Sequence, residues 1–216
     1  MTDAERREIK ARSEARLRGL GIKVNENLPL LEVRGALRSA GEIAARAVVT
    51  NALSEAGEGA PLALVRRWLE RNKVDAALTD DERKLLASET PLPAFDRDGM
   101  LWRAEGAWVL TWILGRIEQL EVGAFAPLER KSLWPDLKKN EAVLPYLQNL
   151  SLRPVSEVAA QADLLFRLHW AIVDATYLGE PFPFDQFHPD LVIERRRALQ
   201  WALSPDVGWE QIDLSV

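Results

Sequence analysis

Apolar residues crowd one stretch of the chain above all others. In Asp163–Leu178, read as a helix, Leu164, Leu165, Phe166, Leu168, Trp170, Ile172 and Val173 point in every direction. A helix apolar all round belongs inside a bundle. Down it run Asp163, Arg167 and Asp174 at i, i+4 and i+11, with Trp170 at i+7, so a charged stripe descends an otherwise apolar helix. Ser156 is the expected N-cap and Gly179 the expected stop. A second segment, Leu191–Leu203, has a broad apolar arc that takes in Glu194 and Arg195 and leaves Arg196, Arg197 and Gln200 outside; Asp190 is its expected cap.

The rest of the pattern is also helical. Ala4–Leu20 is rich in good helix formers with few apolar positions, and Ile22–Pro29 is an extended connector. Ser39 and Glu42 have capping-box spacing, which predicts a helix from about Ala40 to Glu55; Thr79 and Glu82 repeat the device before a short helix, Glu82–Ala87. Pro61 takes a first-turn position ahead of Leu62–Asn72. After a Pro91–Asp98 loop, a long helix is expected from Gly99 or Met100 to Gly115 or Leu120. On it Trp102, Glu105, Trp108, Val109, Trp112 and Arg116 share an arc of roughly 120°. Glu121–Asn149, with Pro127, Pro135 and Pro145, has no clean period and predicts short helices and an irregular crossing. The Gly179–Pro189 loop carries three prolines and three phenylalanines, and its rings should pack onto something.

This pattern predicts an all-α fold of about seven to nine helices in one domain over residues 1–216. Residues 1–30 form its first helix and connector and residues 31–216 the helical core. The inner layer is expected from Gly99–Leu120, Ser156–Leu178 and Asp190–Leu203.

Composition narrows the function. A net charge of −5 speaks against broad nucleic-acid binding. The charged amino terminus lacks an apolar signal region, and the longest apolar run, Gly106–Gly115, is about half a membrane span, so a cytoplasmic protein with no membrane contact is expected. Without cysteine there are no disulfides, thiolate metal sites or cysteine nucleophiles. The only histidines, His169 and His188, lack metal-ligand spacing, so no metal is expected and nothing calls for a cofactor. No phosphate loop, nucleophile elbow or dinucleotide fingerprint occurs. Eight tryptophans point to a large core or a stacking surface.

Candidate chemistry therefore rests on charges set among apolar positions: Glu105 with Arg116, Asp163 with Arg167 and Asp174, and Glu194 with Arg195. Buried charges must be paired. One reading brings the stripes together in a pocket where a carboxylate works as acid or base and the arginines hold an anion. The other makes them an internal salt-bridge network that sets helix register. His169 lies off the Asp163–Arg167 stripe by about 120° or more. His188 is in the loop and could approach the cluster. Arg196 and Arg197 read as a solvated face.

Several stretches resemble the bacterial family called domain of unknown function 4272. They are Arg12-Ser13, Leu20-Gly21-Ile22, Asn25-Glu26-Asn27-Leu28-Pro29, Arg38-Ser39 with Glu42, and Trp102-Arg103-Ala104-Glu105 running through Trp108, Leu110, Trp112 and Leu114-Gly115. Asp163–Trp170 and Glu194–Trp201 complete the set. The resemblance implies one compact domain in a bacterial cytosolic setting and brings no activity or site residue. Two functions stay open: a non-enzymatic interaction module that meets a protein partner, and a small-molecule-binding or hydrolytic site at Glu105, Asp163, Arg167, Glu194 and Arg195.

Overall fold

A computed structural model describes every residue except Arg34, and the side chains of all the others except Leu128 and Lys131. Helix is the regular secondary structure of the described residues, with no strand among them. They form seven α-helices: α1 Asp3–Gly19, α2 Ala40–Gly57, α3 Leu62–Arg71, α4 Asp80–Leu86, α5 Ala94–Ile113, α6 Val155–Leu178 and α7 Pro189–Leu203. None of them is long and apolar enough to cross a membrane. Both capping boxes form. Ser39 Oγ accepts from Glu42 N while Glu42 reaches back to Ser39 N, and Thr79 and Glu82 do the same for α4.

The starts of α5, α6 and α7 differ from expectation, each at a proline. α5 starts five residues early, because Pro93 in an extended conformation serves as its N-cap. α6 begins after Pro154 rather than at Ser156. α7 begins with Pro189 and is capped by His188, whose Nδ1 accepts from Asp190 N, so Asp190 lies inside the first turn. A proline's missing N–H and preset φ suit a helix start without any polar cap.

The chain divides into two compact units. The first comprises Met1–Arg38, Glu121–Ala124 and Arg153–Val216, and so holds α1, α6 and α7. Here α6 packs against both α1 and α7. Leu17, Leu168, Leu191 and Leu199 are fully buried in it. The rings of Phe182 and Phe184 lie 5.0 Å apart and Phe187 is buried. Gly123 passes so close to this loop that a Cβ there would stand 2.3 Å from the Gln186 carbonyl oxygen. The carboxy-terminal segment docks through Trp209, set edge-on to Trp201 at 5.5 Å.

The second unit comprises Ser39–Leu120 and Phe125–Leu152. Its centre is α2, buried at 14 of its 18 positions and made largely of small side chains. α5 crosses it at a very short distance, since a Cβ on Gly57 would lie 2.8 Å from the Leu101 backbone nitrogen. The segment without a sequence period is irregular apart from a 3-10 stretch at Leu128–Leu133, and side chains of α3 hold part of it. Trp68 Nε1 donates to Glu141 O, Arg71 to Asn140 O, and Val143 N donates to the Asn72 side chain just past the helix end.

Candidate functional site

Asp163 and Arg167, one turn apart on α6, form a bidentate pair at 2.8 and 2.9 Å with both side chains 1% exposed. Arg167 also donates to Pro29 O and stands 3.6 Å from the Glu14 carboxylate of α1. Asp174, further along α6, meets Lys23 at 2.8 Å nearer the surface. On α7, Glu194 takes a contact from Arg197 at 3.4 Å. Arg195 turns the other way and donates to the carbonyls of Glu121 and Ala124.

Arg196, expected on a solvated face, is only 2% exposed. It donates to His169 Nδ1 at 2.6 Å and to the carbonyls of Leu214 and Ser215, and its guanidinium lies over the Phe166 ring. What the helical wheel omits is the terminal segment, which folds back over that side of α7. Arg38 does similar work on the carbonyls of Trp201, Ser204 and Val207, stacked over Trp201.

In the second unit, Glu105 is buried on α5, and its Oε1 accepts from Ala126 N at 2.9 Å. Arg116 is not on that helix. α5 stops at Ile113, Gly115 turns into the left-handed region, and Arg116 donates to Tyr146 O while stacking on that ring at 4.0 Å. A buried bidentate pair in this unit has no counterpart in the sequence reading: Arg46 of α2 and Glu82 of α4, at 2.7 and 2.6 Å. Across both units, one pattern recurs. Guanidinium groups borne by helices hold irregular segments by their backbone carbonyls, where the carbonyl would otherwise lack a helical donor.

A cleft of about 490 Å³ opens in the second unit. Trp102 and the half-exposed Phe125 form its aromatic wall, with ring centroids 6.1 Å apart. Leu101 and Asp98 line it from α5, Glu105 lies in its lining, and Arg130 donates to Glu58 at 3.3 Å and to Pro127 O. Of the seven candidate charges, Glu105 alone lines this cleft. Among the described residues, no three His, Asp or Glu side chains stand together as a metal site.

Residues 9–212 match the family described as Domain of unknown function (DUF4272). The chain belongs to that family. No curated protein and no solved structure matches it. In this DUF4272 chain, stretches far apart in sequence that carry the resemblance touch inside the first unit: Arg167 reaches Pro29, and Arg38 stacks on Trp201.

The Arg196–His169 contact sets a pH dependence. A guanidinium only donates, so Nδ1 is the acceptor and the ring proton sits on Nε2. Burial, reinforced by the Arg196 charge, pushes the imidazole from 6.5 down to about 4. Between those values the unfolded chain binds the proton and the folded chain does not. The neutral ring's contribution is therefore complete above pH 6.5 and is lost as pH falls towards 4, by up to about 3 kcal/mol. Urea unfolding at pH 7 and pH 4.5 should show a markedly smaller drop for His169→Gln, which keeps an acceptor for Arg196 but does not titrate. An equal drop in both proteins would rule out His169 as the source.

Proposed function

We propose that this chain is a non-enzymatic cytosolic interaction module whose buried charges are scaffold. The reading rests on one observation: two buried arginines on helices donate to acceptors inside their own unit. Arg167 serves Asp163 and Pro29, and Arg195 serves Glu121 and Ala124. A group bound in this way holds the fold and is not free to take substrate. The second reading, a carboxylate-and-arginine pocket for a small molecule, draws support from the cleft, which takes in Glu105 and none of Asp163, Arg167, Glu194 or Arg195.

Thermal melts of Arg195→Met and Glu194→Gln test the proposal. Hydrogen bonds from a charged donor contribute about 1.5–3 kcal/mol each. Losing two of them, about 3–6 kcal/mol together, should lower the Tm of Arg195→Met by on the order of 10 °C. Glu194→Gln should fall less, because its contact with Arg197 is longer and nearer the surface. An unchanged or higher Tm for Arg195→Met would mean the charge is held at the expense of stability, as functional groups often are, and would transfer the argument to the second reading.

A further inference from the structure

We infer that the cleft on α5 is a binding site for an organic cation carried on an apolar stem. The inference rests on the interaction-module reading and adds the chemistry that this module recognises. Two aromatic faces, Trp102 and Phe125, meet in the cleft at 35° with centroids 6.1 Å apart. Their π faces carry negative potential and attract a cation within about 6 Å of the centroid. Phe125 is 54% exposed, so its ring is open to a ligand that enters the cleft.

Charge selects in the same direction. Glu58, Asp98 and Glu105 line the cleft against one arginine. That arginine, Arg130, is 8% exposed and donates from its terminal nitrogens to Glu58 and to Pro127 O, so its charge is partnered within the wall. Asp98 stands at the exposed rim, one helical turn before Trp102, where a carboxylate and an indole face the same side of α5. The cleft volume of about 490 Å³ suits a ligand of small-molecule size or one side chain with its neighbours. A protonated amine or guanidinium on an aryl or alkyl stem satisfies both features at once: the stem lies on the rings and the cation on the rim carboxylate. Such a group comes either from a free amine or from a lysine or arginine of a partner.

Isothermal titration of the full chain with phenethylammonium, with acetyl-Phe-Arg-amide and with phenylacetate separates the cases. Phenylacetate has the ring but the opposite charge. Both cations should bind and phenylacetate should bind at least tenfold more weakly. Asp98→Asn, at an exposed position that leaves the fold alone, should weaken the cations several-fold without strengthening phenylacetate to match them. Trp102→Leu should weaken them by about tenfold. A tenfold preference for the dipeptide assigns the cation to a partner's side chain, and a preference for the amine assigns it to a free small molecule; each upholds the site. Equal binding of phenylacetate and phenethylammonium, no heat with either cation, or indifference to both substitutions overturns it. Glu194 and Arg195 do not line the cleft, so the melts of their variants report on the interaction-module reading whatever the titration shows.

Discussion

Asp163→Asn should melt on the order of 10 °C below the wild type. The carboxylate receives two charge-assisted hydrogen bonds from Arg167, and neither side chain has access to solvent. Asparagine removes the charge and turns an amide N–H₂ towards the guanidinium, so donor faces donor where donor faced acceptor. Arg167 then leans on Glu14, 3.6 Å away and beyond hydrogen-bond distance, and on the Pro29 carbonyl. Breaking a buried pair from one side costs about 3–5 kcal/mol, because the remaining charge stays desolvated. In a chain of this length each kcal/mol moves Tm by roughly 2–4 °C. Removing both partners, as in Asp163→Leu with Arg167→Met, should recover much of that loss, since the desolvated charges go together. Circular dichroism melts of the single and double variants measure the effect. A single variant as stable as the wild type would show that the pair contributes nothing to stability, and the scaffold reading of α6 would fall.

Pairs such as this were legible in the sequence because their geometry is local. Asp163 and Arg167 are four residues apart on one helix, and so share a face whatever else the chain does. The capping boxes at Ser39 and Thr79 are local in the same sense, and both form. The prolines misled for a related reason: Pro93, Pro154 and Pro189 punctuate the sequence like loop residues, yet each begins or immediately precedes a helix. Side-chain caps such as Ser156 and Asp190 are the more conspicuous signals, although a helix start needs only three or four satisfied or solvated N–H groups.

What the sequence could not disclose is where irregular segments travel. Arg195, Arg196 and Arg38 hold carbonyls of segments whose path has no periodicity, so nothing in their own spacing reveals a partner. Arg116 continues the helical stripe of Trp102 and Glu105 in the sequence, but the helix ends three residues before it. The cleft was half visible: the Trp102–Glu105 face could be read from the wheel, but Phe125 and Arg130 belong to the stretch without a period. Arg46 gives no signal in its own spacing either, because its acceptor Glu82 lies 36 residues away.

That pair makes the second large effect. Arg46→Met should destabilise the second unit by about 3–5 kcal/mol at pH 7, and by much less at pH 4. Glu82 is 6% exposed. Burial alone would push its carboxyl up; the Arg46 hydrogen bonds and charge, with the Thr79 N–H, bring it below its ordinary 4.5. In the wild type, therefore, the ionised carboxylate contributes stability above pH 4.5 that is lost as the pH falls through its folded-state value. Without Arg46, burial prevails and the carboxyl rises. The variant then gains relative stability as acid protonates Glu82, which neutral pH forces to stay charged and buried. The two stability curves should converge between pH 7 and pH 4, and a constant gap across that range would mean Glu82 does not sense Arg46. Adding Glu82→Gln to Arg46→Met should raise stability at pH 7 above that of Arg46→Met alone. The amide still accepts the Thr79 N–H that starts α4, and the unpaired charge, which carries most of the penalty, is gone.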